Sequence, residues 1–176
     1  MSWQKTKIII PKGFGPLERQ AIAQDVIDFI INRSRNKGLD KNNERFKPYS
    51  QSYKESLNFK IAGKSSKVDL TLSGEMLDEL RLINQKSGEL VVGYDKGNQE
   101  LNGKVEGNRL GTYGTGRPDS KKARDFLGIH PDDLRKILDK YRQADDSKEL
   151  ARDNLSVASK AGSIVDGINF DEDALP

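Results

Sequence analysis

The chain carries one histidine, His130, and no cysteine. These two residue types supply much of the nucleophilic, acid–base and metal chemistry available near neutral pH, so their scarcity limits what the sequence can catalyse. A catalytic histidine needs a nucleophile and an orienting group. A metal-binding one needs further ligands at workable spacing, and no second histidine provides one. His130 stands directly before Pro131, where a helix would begin, which suits a structural or capping role. Gly63-Lys64-Ser65 resembles the end of a phosphate loop. That motif also requires a glycine five residues before its final glycine, and Asn58 occupies the position, so the run reads as a flexible basic turn. Gly111, Gly114 and Gly116 neither keep the dinucleotide spacing nor join a strand to a helix, and read as a mobile loop or an interface turn.

Asp132-Asp133 and Asp145-Asp146 are adjacent pairs, and neighbouring helical positions do not face each other. Acid–base work by two carboxylates needs opposed groups, so helix-terminal charge accounts better for these. Asp171-Glu172-Asp173 has the charge to hold a cation but lacks the glycine and ligand spacing of a calcium-binding helix–loop–helix. Basic residues gather between 104 and 124: Lys104, Arg109, Arg117, Lys121, Lys122 and Arg124, against Glu106 and Asp119, with Tyr113 among them. Such a run can contact phosphates. No helix-turn-helix pattern, zinc finger or set of stacking aromatics accompanies it, so a solvated or subunit-facing basic loop is the simpler reading. A non-enzymatic protein without metal or cofactor is expected.

A chain of 176 residues is one ordinary domain with length to spare, enough to bury a core. Only 34% of residues are hydrophobic and 32% are charged, with a mean hydropathy of −0.75. A modest core is expected, with much polar surface or extended arms. No apolar run approaches the roughly 20 residues that span a bilayer, and Ile8-Ile9-Ile10 is too short for a signal segment. A soluble protein made in the cytoplasm follows. Charge is unevenly spread. Residues 144–176 hold eight acidic against three basic residues, a net of −5, leaving +8 on residues 1–143. An acidic tail on a basic body either docks on a basic surface, its own or a neighbour's, or is simply solvated.

The elements that would position these residues are legible in part. Lys5 to Ile10 reads as a short strand stopped by Pro11. Pro16 opens a long amphipathic helix with Leu17, Ile22, Val26, Phe29 and Ile30 on its stripe and Gly38 at its end. Ser50 caps a short helix reaching about Phe59. Residues 68–72 alternate as a strand, and Ser73 caps another short helix bearing Met76, Leu77 and Leu80. Residues 80–94 form the clearest hairpin, turning at Gln85-Lys86-Ser87-Gly88. A weak helix from Asn98 to Leu110 contains Gly103 and Gly107, each costing about 1 kcal/mol against alanine. Arg124 to Ile129 reads as a strand, and Pro131 opens a second good helix through about residue 143. Asp146 and Glu149 permit a helix from 147 to about 160, and 162–176 reads as an extended arm.

The order of these segments resembles the phage virion morphogenesis and tail-completion group, including related neck proteins. Phe46–Ser50 stands where members carry a "phenylalanine/tryptophan, x, proline/leucine, tyrosine/serine, serine" run soon after the first helix. Leu70–Leu77 stands for their "leucine, x, x, serine-glycine, x, leucine" run, and Arg124–Gly128 for "arginine, x, phenylalanine-leucine-glycine" before the last helix. The resemblance covers residues 14–143; the N-terminal strand and the 33-residue acidic tail depart from it. The elements themselves read as an α+β fold: a small antiparallel sheet, residues 68–94 and 124–129, packed on the N-terminal helix 16–37 and the C-terminal helix 131–143, with extended terminal arms at 1–11 and 144–176. The resemblance implies a structural virion protein, made in the host cytoplasm, that forms a closed ring of six or twelve copies. The partners would be a portal or head-closure protein, a tail terminator or tail-tube protein, and genomic DNA touched without sequence preference in the channel. Ile8, Ile9, Ile10, Arg117, Lys121, Lys122, Ile168 and Phe170 are the expected subunit-interface residues. The alternatives are a basic nucleic-acid-binding accessory protein, or a small enzyme whose site the motifs do not reveal.

Overall fold

The computed structural model describes residues 2–63, 67–70, 75–112 and 116–144. The chain divides into two compact units, Met1–Ile137 and Leu138–Pro176. In the first, strand β1 (Lys5–Ile9) precedes helix α1 (Pro16–Asn32), which runs on through a wider π turn, Arg33–Lys37, to Gly38 at φ 66°. Two one-turn helices follow, α2 (Gln51–Glu55) and α3 (Leu57–Ile61), then α4 (Glu75–Asp78), the hairpin β2 (Arg81–Lys86) and β3 (Glu89–Gly93), and α5 (Gln99–Leu110). Residues 131–144 are helical, and the boundary between the units falls within them. Of the second unit, residues 138–144 are described; Asp139 and Arg142 pair there at 3.7 Å. The expected helix at 147–160 and arm at 162–176, with Ile168 and Phe170, lie outside the described residues.

The fold is α+β, with one antiparallel sheet in the order β1-β3-β2. Its central strand buries alternate residues, Leu90, Val92 and Tyr94, as a strand with one covered face must. Ile8 stands opposite Leu90, and Leu82 opposite Val92. The ladder slips between Leu82 and Asn84. The extra residue, Ile83, changes the alternation and carries Gln85, rather than Asn84, to the position opposite Leu90. Helix α1 packs on this face through Ile22, Ala23, Val26, Ile27 and Ile30, all buried. Its stripe differs from the sequence reading in that Leu17, in the first turn, is 81% exposed and Phe29 is half-buried, while Ala23 and Ile27 join the buried set. The opposite face of the sheet is polar, with Lys7 paired to Glu89.

Several expectations are corrected. The strand at 5–10 belongs to the chain's own sheet rather than to an arm. Its backbone continues that pairing beyond the ladder, for Gln4 N–H donates to Asn102 Oδ1 at 2.8 Å and Tyr94 N–H to the Gln4 carbonyl at 3.2 Å. Gly93 is required there, because a Cβ would meet the Gln4 carbonyl at 2.6 Å. The other two expected strands are absent among the described residues. Residues 123–126 are irregular, and Leu70 sits at φ 56°, a left-handed conformation that no strand uses. The expected helix at 50–59 is two helices, broken at Ser56. Ser50 and Ser56 each accept a backbone N–H three residues on, at 3.3 Å, and so cap one helix apiece.

Tyr94 joins the hairpin to α4. Its ring is fully buried and its hydroxyl donates to the Met76 carbonyl at 2.7 Å. Burial raises its pKa well above the ordinary tyrosine value, against a smaller lowering by Arg109. A group raised on folding contributes stability that is complete below the unfolded pKa, about 10 for tyrosine, and is lost as pH rises above it. Stability measured by denaturant melts should therefore fall steeply above about pH 10. Tyr94→Phe should cost about 1–3 kcal/mol at pH 7, by leaving the Met76 carbonyl without its donor, and should show a shallower alkaline decline.

Candidate functional site

The run from Ala123 to His130 has no ladder to satisfy its backbone, yet Phe126 and Leu127 are fully buried. Side chains and loops supply the missing partners. Arg33, at the end of α1, is 2% exposed and donates through Nη2 to the Phe126 carbonyl at 2.6 Å. Lys41 N–H donates to the Asp125 carbonyl at 2.9 Å, and Arg124 N–H to the Asn108 carbonyl at 2.7 Å. The Asp125 carboxylate receives Arg109 Nε at 2.7 Å and Lys41 Nζ at 2.8 Å. Burial alone would raise this carboxyl, but its bonds to Arg109 and Lys41 outweigh burial and hold it below its ordinary value. Burial lowers Arg33 to about 10, with Asp40, Asp133 and Asp125 opposing, so it stays charged at neutral pH. His130 caps the helix that follows, its Nδ1 accepting the Asp132 N–H at 3.3 Å.

Arg124 connects this strap to the segment carrying α2 and α3. Its Nε donates to the Lys47 carbonyl at 3.0 Å and its Nη2 to the Pro48 carbonyl at 3.1 Å. The guanidinium also lies over the Tyr49 ring, 5.1 Å from its centroid, a stacking that arginine suits better than lysine. Tyr49, Tyr53 and Phe59 form a three-ring cluster with centroids 5.1 to 5.6 Å apart, two of the contacts edge-to-face. Burial raises the pKa values of both tyrosines.

Phe59 points inward from α3, so the other apolar residues of that helix point out. At 3.6 residues per turn, Leu57 and Ile61 share one side, and Phe59 lies about 200° round from Leu57. Leu57 is 70% and Ile61 75% exposed. Lys60, in the same helix, is exposed; Arg45 and Lys47, earlier in the segment, are exposed and Lys54, in α2, is half-buried. Exposed aliphatic side chains on a segment whose charged residues are mostly basic suit an amphipathic acidic partner.

The expected interface residues are placed as follows. Ile8 and Ile10 are each 4% exposed and form part of the core, while Ile9 is 64% exposed on the polar face of the sheet. Arg117 and Lys121 are exposed and Lys122 is half-buried. Their loop is an ordered turn folded back on the end of α5: Asp119 N–H donates to the Leu110 carbonyl at 2.9 Å, and Asp119 accepts the Lys121 N–H at the same distance. Gly111, at φ 70°, admits that approach, since a Cβ there would meet the Asp119 carbonyl at 2.3 Å. Sequence reasoning missed Leu57, Ile61 and the three rings. The signal was present: apolar residues at 57, 59 and 61 cannot share one face of a short helix.

Replacing Arg124 by lysine removes the two-carbonyl grip and the stacking while keeping the charge. Arg124→Lys should raise amide hydrogen exchange across residues 50–61 about tenfold or more and leave the amides of β2 and β3 unchanged; equal rates in both proteins would contradict the strap's role. The chain matches no protein-family model, no curated protein and no solved structure.

Proposed function

We propose that the chain is a non-enzymatic structural protein of a tailed-phage particle, acting in a closed ring at the head–tail junction. One observation carries the reading. Two of the sequence runs that resemble the virion morphogenesis and tail-completion group are bonded to each other, and the remaining one is bonded to the hairpin that follows it. Arg124 of the third run holds the Lys47 and Pro48 carbonyls of the first. Met76, in the second, accepts the hydroxyl of Tyr94 at the end of the hairpin. Short motifs matched singly mean little. Runs in the family's order, the first and third tied by Arg124 and the second tied to the hairpin by Tyr94, fit a shared framework.

The surface supports an assembling role. Leu57 and Ile61 are left outside on a chain that is 32% charged, as in proteins that finish burying their surface on a neighbour. In this reading one heterologous contact repeats until the ring of six or twelve copies closes. A portal or head-closure protein lies on one side and a tail terminator or tube protein on the other. The turn bearing Arg117, Lys121 and Lys122 is a candidate for the subunit contact, and genomic DNA in the channel is touched through phosphates, without sequence preference.

The test is to weigh the purified chain by native mass measurement, alone and after mixing with DNA-filled heads that lack tails. The reading expects six or twelve copies, free or retained on each head, whose retention tolerates moderate salt. A chain that stays monomeric, ignores heads and binds naked DNA with an affinity falling steeply in salt would replace it with the nucleic-acid-binding alternative.

A further inference from the structure

We propose that residues 164–173 of one copy dock on the α2–α3 surface of the next copy, with Leu57 and Ile61 as the apolar seat. The inference rests on the ring reading and names the contact that would close it.

The seat is built. Ser50 and Ser56 cap its two short helices, Tyr49, Tyr53 and Phe59 pack beneath, and Arg124 fastens it to the strap. A folded, capped helix that keeps Leu57 and Ile61 70% and 75% exposed presents a fixed apolar pair rather than a frayed end. Residues 45–61 carry Arg45, Lys47, Lys54 and Lys60 against Glu55.

Residues 164–173 read Ile-Val-Asp-Gly-Ile-Asn-Phe-Asp-Glu-Asp. Four acidic residues and no basic one accompany Ile164, Val165, Ile168 and Phe170, so the segment is the chemical complement of the surface. The spacing agrees as well. Bound in extended form, Ile168 and Phe170 would point to one side about 7 Å apart, while Leu57 and Ile61, one turn apart on α3, are separated by about 6 Å along the helix. Asp171, Glu172 and Asp173 would then follow the apolar pair onto a segment that carries four basic residues and one acidic one. A chain whose acidic segment is seated on its neighbour's basic surface repeats one contact in one direction around the ring, as a heterologous interface does.

The test uses full-length chain with Ile61 replaced by a photoreactive phenylalanine analogue. Light and isotopically heavy preparations are mixed, weighed under native conditions and then irradiated. The proposal expects an oligomer and heavy–light cross-links from position 61 into 164–173. Replacing Asp171, Glu172 and Asp173 together by lysine should lower their yield about tenfold, and melting of the variant monomer should be unchanged. Cross-links confined to single chains, or falling elsewhere while the oligomer persists, overturn the docking and leave the ring reading standing. The absence of any oligomer, alone or on heads, overturns the ring reading and this contact with it.

Discussion

Arg33 enters the interior at the end of α1, where 2% of its surface stays exposed, and one of its nitrogens meets the Phe126 carbonyl at 2.6 Å. Its Nε and Nη1 have no hydrogen-bonding partner, so the charge is supported instead by the carboxylates of Asp40, Asp133 and Asp125. Those groups come from three separate stretches of chain: the loop after α1, the start of the last helix and the strap itself. Arg33 thus couples the end of α1 electrostatically to those three stretches and directly to the strap through the Phe126 carbonyl. Their arrangement fixes Arg124, two residues from Phe126, and Arg124 in turn holds the Lys47–Pro48 backbone and the Tyr49 ring. The exposed face of α3 is thus the outer end of a chain of contacts that begins at one guanidinium.

This architecture explains which parts of the fold could be read from the sequence. Helix α1 announced itself by an apolar stripe, a proline at its start and Gly38 at its end, since these are local signals. The hairpin did so by alternation around Ser87-Gly88, where Gly88 adopts φ 81°. Helix α5 formed despite Gly103 and Gly107, capped by Asn98, whose Oδ1 accepts the Leu101 N–H at 3.1 Å. The strap was misread because Phe126-Leu127-Gly128-Ile129 has the composition of a strand. Its backbone is satisfied instead by Arg33, Lys41 and Asn108 from distant positions, which no window of sequence contains. Likewise nothing local told that β1 would pair with β3, more than eighty residues away, and so turn a supposed arm into the edge of the core sheet.

The same contrast applies to the surface. Charge clustering made Arg117 and Lys121 visible as candidates, and both are exposed. Ile8 and Ile10 attracted notice as an apolar cluster, but alternation on a strand sends them inward and leaves Ile9 alone at the surface. Leu57 and Ile61 went unremarked because an apolar residue in a short helix is ordinarily taken for core. Only the position of Phe59 in the three-ring cluster shows that their side must face out. The basic segment that carries this exposed apolar pair and the acidic, partly apolar segment within the same chain are the two features on which the proposed self-assembly rests.

The central claim is a place in a particle, and it is tested most directly by locating the chain there. Tailed particles assembled with an epitope-tagged chain, labelled with antibody-bound gold and viewed by electron microscopy, should carry gold at the junction of head and tail. Label at the tail tip, or particles that assemble with head and tail joined and carry no label, would contradict the account.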